Sequence, residues 1–308
     1  MNPTVDDVAG AYQQVATHAT SIKIDRTGVI LPEGQHFQGI QRLTLGPREP
    51  HMLVITSSSD HQPYFVPCVM AEDWMSGSAS FPVTLAKMPW NHAGGCQTVG
   101  HYLVVGIENL DNESGSEVQF WDFSGCLKQL KSMTICRPAK GKTSTAGAVG
   151  MTSYGNGAVL AVGSYNSQTV DFYKSDADPF TGSPLNLLFK WKASDANKTG
   201  WIDKNFAHYQ NLNLITQTNG DLFMVAFDLG GDDDWMDLYS VHLEEKDHSR
   251  ALKKLAKKHM YCTNGCTFND GSGIFIPSSD GFEVYAVNGK SGDHVTGTTI
   301  HANHFPAT

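Results

Sequence analysis

One six-residue pattern recurs along this chain, and its period limits the available folds more than any other feature. His36-Phe-Gln-Gly-Ile-Gln41 and His208-Tyr-Gln-Asn-Leu-Asn213 share, in order, an imidazole, an aromatic ring, a Gln, a small residue, an aliphatic residue and an amide. The pattern returns in looser form as His92-Ala-Gly-Gly-Cys-Gln97, Thr145-Ala-Gly-Ala-Val-Gly150 and Cys262-Thr-Asn-Gly-Cys-Thr267. Starts at residues 36, 92, 145, 208 and 262 give a period of 53 to 63 residues, which is the mark of a supersecondary unit stacked on copies of itself. Each copy is followed by a turn and an apolar run, at 52–56, 102–106, 159–163, 222–226 and 273–276. A third run, at 64–66, 118–121, 170–173, 236–239 and 282–285, alternates apolar and polar residues in most copies, as a half-buried strand does. Weaker fourth strands fit 80–86, 130–135, 187–191 and 259–261.

Antiparallel four-stranded units repeated in this way resemble a β-propeller, and at this count a five-bladed one. The resemblance covers roughly residues 20–301 and lies in the strand rhythm: the single Trp121-Asp122 dipeptide does not make a WD40 repeat, and no Kelch or NHL pattern occurs. It implies an all-β ring that must close, because one small sheet cannot bury both its faces alone. Residues 1–19 are then an N-terminal extension with a short helix over 6–17, N-capped by Thr4, and residues 20–308 a single propeller domain. Either 21–24 or 296–300 completes the last sheet. A six-bladed ring with one degenerate blade and a pair of β-sandwiches are the alternatives.

Composition narrows the partners. The 308 residues are long enough for a large core, and 22 basic against 31 acidic side chains give a net charge of −9, with no footprint for gripping a phosphate backbone. No apolar run reaches the roughly 18 to 20 residues of a membrane helix. The expectation is a soluble monomer without nucleic-acid or membrane partners. The start lacks a signal-peptide pattern, so the chain reads as cytoplasmic as written, or secreted if a signal peptide has been removed. The six cysteines show no CxxC spacing and read as free thiols.

Propeller topology also localises a site. Neighbouring strands run in opposite directions, so the start of each innermost strand and the loop between the second and third strands share one rim. The leading residues there are His36, His92, Thr145, His208 and Cys262. Three imidazoles and a thiol around one axis suit Zn²⁺, Cu²⁺ or Fe²⁺, so His36, His92, His208 and Cys262 are candidate metal ligands for a hydrolase, lyase or oxygenase. Seven-bladed carotenoid oxygenases are similar in placing iron on axial histidines, but they use four. The competing reading makes each His a latch that hydrogen-bonds a neighbouring blade.

The same rim carries two acidic loops, 108–117 and 228–234, whose carboxylates suit Ca²⁺. Glu108, Asp111 and Asp228 are the candidate acids or bases there. Gln38 and Gln210 follow their histidines by two residues, and with Trp90 and Trp235 they are candidate contacts for a small molecule or glycan. Gln41, Gln97 and Asn213 read as hydrogen bonds between blades, and Gly39, Gly95 and Gly265 as close-packing positions near the axis. The patch Lys253-Lys-Leu-Ala-Lys-Lys258 reads as an exposed edge, and the His301-x-x-His304 tail as a frayed end. Nucleophile-elbow, Walker, dinucleotide and HExxH motifs are absent from the sequence. The function expected is a small-molecule-binding propeller, either a metal-dependent enzyme or a non-catalytic glycan or protein binder.

Overall fold

The helix expected near the start forms, but it is shorter than 6–17. In the computed structural model α1 spans Val8–Gln14, and Asp7 caps it in place of Thr4, its carboxylate accepting from Gly10 N at 2.9 Å. The other end is closed by Lys258, whose Nζ donates to the carbonyls of Tyr12, Gln13 and Val15 at 3.0, 2.8 and 2.8 Å, supplying partners that the last turn of a helix lacks. The structure describes residues 4–43, 45–46, 50–109, 115–139, 144–228, 233–289 and 298–307.

Almost everything else is strand. After β1 (Thr20–Asp25) the chain builds antiparallel meanders in succession. The first holds β2 (His36–Leu43), β3 (His51–Ser58) and β4 (Tyr64–Met70), edged by β5 (Ser76–Ala79) and β6 (Val83–Thr84). The second holds β7 (His92–Val99), β8 (Tyr102–Glu108) and β9 (Gly115–Asp122), with β10 (Lys128–Gln129) and β11 (Ile135–Pro138) both on the β9 edge. The third runs through β12 (Ala148–Tyr154), β13 (Gly157–Gly163), β14 (Thr169–Ser175) and β15 (Asn186–Lys192). The fourth runs through β16 (Tyr209–Thr216), β17 (Leu222–Asp228), β18 (Asp234–Val241) and β19 (Leu252–Met260). The last has β20 (Thr267–Ser278), β21 (Gly281–Val287) and β22 (Thr299–Phe305), and β1 completes it, with Thr20 opposite His304 and Asp25 opposite Thr299. Both terminal segments therefore enter the last sheet, β22 as its third strand and β1 as its fourth.

The last copy sits one strand away from its place in the sequence pattern. Residues 262–266 are not an inner strand: Asn264 and Gly265 have φ of +56° and +73°, and Cys266 N donates to Thr263 O at 3.1 Å, which is a tight Asn-Gly turn. The inner strand is β20, whose Gly273 passes so close to the first meander that a Cβ would lie 2.0 Å from Ile40 O. Gly265 is thus a turn glycine. Gly95 does occupy a close-packing position: its added Cβ would meet Asn211 Oδ1 at 2.3 Å.

The middle strands β8, β13 and β17 are apolar along nearly their whole length and buried, as strands covered on both faces are. Their side chains fill clusters that lie between consecutive meanders. One joins Ile22 and Tyr285 to Ile40 and Ile55 and so packs the last meander on the first. Near the axis the inner strands are tied by buried amides. Gln41 Nε2 donates to Cys96 O and Asn213 Oδ1, both at 2.9 Å, and Gln97 spans three meanders by donating to Leu214 O (2.9 Å) and accepting from Met151 N and Leu214 N (2.8 Å each).

The basic patch lies on β19, an edge strand, but Lys254 is fully buried and Lys258 caps α1. His301 and His304 belong to β22, well inside the last sheet.

Candidate functional site

A cavity of about 340 Å³ opens on the rim where the inner strands begin, within the roughly 300–1,000 Å³ of small-ligand sites. His36 and Gln38 come from the start of β2, His92 from the start of β7, Gly147 from just before β12, and Tyr209 and Gln210 from the start of β16. Second-strand ends supply the rest: Ser58, Ser59 and Asp60 after β3, Glu108 at the end of β8, and Tyr165 and Asn166 after β13. Strand starts and second-strand ends share this rim because each hairpin reverses the chain.

Within the cavity Gln38 is 1% exposed; its Nε2 donates to His36 Nδ1 at 2.7 Å and to Ser58 Oγ at 3.3 Å. Glu108 is also 1% exposed, and its Oε1 lies 3.3 Å from His92 Nδ1, close enough for charge interaction but without hydrogen-bond alignment. Four buried polar atoms that line this one cavity have no hydrogen-bond partner among the described residues: Gln38 Oε1, Asn91 Oδ1, His92 Nδ1 and Glu108 Oε2.

Tyr209 connects the cavity to a buried charge network. Its hydroxyl bonds Asp237 and Tyr239. Asp237 in turn meets Lys254 Nζ at 2.7 Å, with both side chains sealed from solvent. Burial pushes the Asp237 carboxyl above its ordinary range, more than Lys254 and Tyr209 pull it down. Burial, with the neighbouring Tyr239 and Asp237, holds the Tyr209 phenol well above its usual value. Tyr209 therefore stays a neutral hydroxyl, fixed in place from behind.

The structure brings together His36, His92, Glu108, Gln38 and Gln210, and separates the other candidates. His208 is exposed and outside the lining, and Cys262 precedes the Asn-Gly turn and packs against the cluster between the last two meanders. The four donors expected for Zn²⁺, Cu²⁺ or Fe²⁺ thus do not converge, and among the described residues no group of three or more His, Cys, Asp or Glu is placed to hold a metal. Thr145 lies ahead of β12, where its Oγ1 accepts from Tyr165 N.

Asp228 ends β17 opposite Tyr209 and is not among the lining residues. Trp235 packs at a tilt beside His259, with Lys257 Nζ 4.1 Å above its ring, and Trp90 lines a separate groove beside Pro89 and Gln119. Asp111, and the middle of both acidic loops proposed for Ca²⁺ (110–114 and 229–232), lie outside the described residues. The sequence reading missed Ser58, Ser59, Asp60 and Asn91. The polar run Ser57-Ser-Ser-Asp60, directly after an apolar strand on the predicted rim, was the available signal.

Inner strands meeting at an axis, meanders packed face to face and a last sheet completed by β1 define a β-propeller. No protein-family model and no curated protein sequence matches the chain. Among solved structures it is similar to the endo-arabinase of Bacteroides thetaiotaomicron, at 12% identity over 94% of this chain and 98% of that one, with a TM-score of 0.52. The exo-β-1,3-galactanase of Phanerochaete chrysosporium is similar at 10% identity and a TM-score of 0.51, over 94% of this chain and 63% of the galactanase. The α-L-arabinofuranosidase of Podospora anserina, solved with cellotriose, is similar at 7% identity and a TM-score of 0.50, over 96% and 98% of the two chains. At these identities the likeness is one of fold. No helix among the described residues is long and apolar enough to cross a membrane.

Proposed function

We propose that this protein is a five-bladed, single-domain propeller that binds a glycan or similar polyhydroxylated small molecule in the rim cavity. The observation that carries the reading is the set of four unpartnered buried polar atoms, among the described residues, in the lining of one cavity. Leaving such groups unpaired costs about 1–3 kcal/mol each, and a ligand rich in hydroxyls satisfies them together. The three fold neighbours lend support, since each is named as an enzyme acting on glycans. A glycan array followed by calorimetric titration tests the reading: binding is expected, and its loss in Gln38→Ala and His92→Ala is required.

Glu108 favours a second reading, hydrolysis of the bound glycan. Acid–base cleavage of a glycosidic bond needs two carboxylates on one site, and Glu108 and Asp60 both line the cavity. Release of reducing sugar from a glycan panel, abolished in Glu108→Gln, is the expected outcome; binding without turnover in the native chain overturns it. Neither reading routes a step through a metal. Elemental analysis is expected to find no stoichiometric transition metal, and ligand binding lost on chelation would reverse this.

A further inference from the structure

We infer that the group this cavity selects is a protonated amine on the ligand, an inference that rests on the binding role proposed above and narrows it. The argument is a count of donors and acceptors. Gln38 spends its Nε2 on His36 and Ser58, which fixes the amide and leaves Oε1 as the unpaired atom. Glu108 turns Oε1 toward His92 and leaves Oε2, and Asn91 leaves Oδ1. Three buried acceptors therefore line one cavity, while the fourth unpartnered atom, His92 Nδ1, already faces a carboxylate.

A hydroxyl brings one donor and two lone pairs, so it satisfies one of these acceptors and adds acceptors of its own. An ammonium group brings three donors and no acceptor. Charge points the same way: among the described residues the lining holds the carboxylates of Glu108 and Asp60 and neither Lys nor Arg. Glu108 is almost wholly removed from solvent, and a buried carboxylate without a cation is costly. An amine seated against Glu108 Oε2, Gln38 Oε1 and Asn91 Oδ1 answers both demands, with Asp60 at the opening drawing cations in. An amino sugar joins this group to the hydroxyls that the remaining polar lining accommodates. A carboxylated sugar meets repulsion from both acids.

The test is calorimetric titration of the full chain with two matched pairs, glucosamine against glucose and cyclohexylamine against cyclohexanol, at a pH where the amines are protonated, with glucuronic acid as the anionic control. The amine of each pair is expected to bind at least about tenfold more tightly than its alcohol, as a charge-assisted hydrogen bond gives, and glucuronic acid more weakly than glucose. Glu108→Gln is expected to remove that preference, and the exposed Asp60→Asn to weaken amine binding and its salt dependence without disturbing the fold. Equal binding of amine and alcohol, or a preference that survives Glu108→Gln, overturns the inference. Glucose binding without amine preference sinks the inference and leaves the glycan reading standing. Cyclohexylamine binding where neither sugar binds does the reverse, and a cavity that takes none of the probes overturns both.

Discussion

His92 Nδ1 lies 3.3 Å from Glu108 Oε1, where the first residue of one strand meets the last residue of its hairpin partner. The register makes this pair unavoidable, since His92 and Glu108 are direct neighbours in the β7–β8 ladder. Each is nearly closed to solvent, so each is the other's main polar neighbour on that side. His92→Ala is therefore expected to lower stability by about 1–3 kcal/mol by removing the one close imidazole contact of the buried Glu108, in addition to its effect on binding. Urea denaturation checks the first effect and titration with ligand the second. A stability unchanged in His92→Ala would mean that Glu108 is satisfied from elsewhere.

Gln97 is expected to be among the costliest polar residues to remove. Its side chain makes three buried hydrogen bonds to backbone groups on the third and fourth meanders. Gln97→Leu keeps much of the volume but strands two N–H groups and a carbonyl, and a loss of about 3 kcal/mol or more follows from the cost of unpaired buried groups. Denaturant midpoints at constant m-value measure it. Gln210, on the cavity wall and only half-buried, is expected to cost far less stability when changed to Leu.

The Asp237–Lys254 pair gives a prediction in which a second substitution offsets the first. Lys254→Met leaves the buried Asp237 carboxyl without its cation, held only by the Tyr209 hydroxyl, and a loss of about 3–5 kcal/mol is expected. Adding Asp237→Leu removes the stranded charge, so the double variant is expected to regain most of that loss. Thermal melts of the three proteins decide the point, and a double variant no better than Lys254→Met would show that the network is held by more than this pair.

Acid stability is expected to depend in part on Glu283. Burial pushes its carboxyl up, but His304, Tyr285 and Arg42 together outweigh burial and hold it below its ordinary value. Arg42 lies 3.3 Å away and His304 3.1 Å. A group lowered on folding contributes stability that is complete above its unfolded pKa of about 4.3 and is lost as pH falls through its folded value. Native protein is therefore expected to exceed Glu283→Gln in stability at pH 6 and to lose that margin near pH 3. Paired denaturation curves at the two pH values measure the margin, and a margin independent of pH would remove Glu283 from the acid response.

Much of the architecture was legible because inner and middle strands are buried. Runs such as Val159-Leu-Ala-Val-Gly163 and the recurring Gln41, Gln97 and Asn213 reflect constraints that each meander meets alike. The outer strands, which face solvent on one side, were read unevenly: 187–191 lies within β15, whereas 259–261 catches only the end of β19. The region read as a single fourth strand at 130–135 lies between β10 and β11: it holds a short 3-10 turn and only the first residue of β11. Cys262-Thr-Asn-Gly-Cys-Thr267 misled because small residues serve both a crowded axis and a tight turn, and composition does not separate the two. Of the site, the histidines and glutamines were visible through their repetition. Asp60 and Asn91 were not, since each occurs once and owes its position to hairpin geometry.

The placement of β1 beside β22 also bears on synthesis. Residues 20–25 are made well before residues 299–305, and acquire their antiparallel ladder partner only when those follow. The earlier strand must wait while every intervening meander is made, a very long sequence separation that slows the closing step. Until then β1 has only its parallel pairing with β5 on one side, and its other edge is open. A nascent chain of this kind carries an open seam until residues 299–305 are made, and the seam is where chaperones or a second copy of the chain would find it.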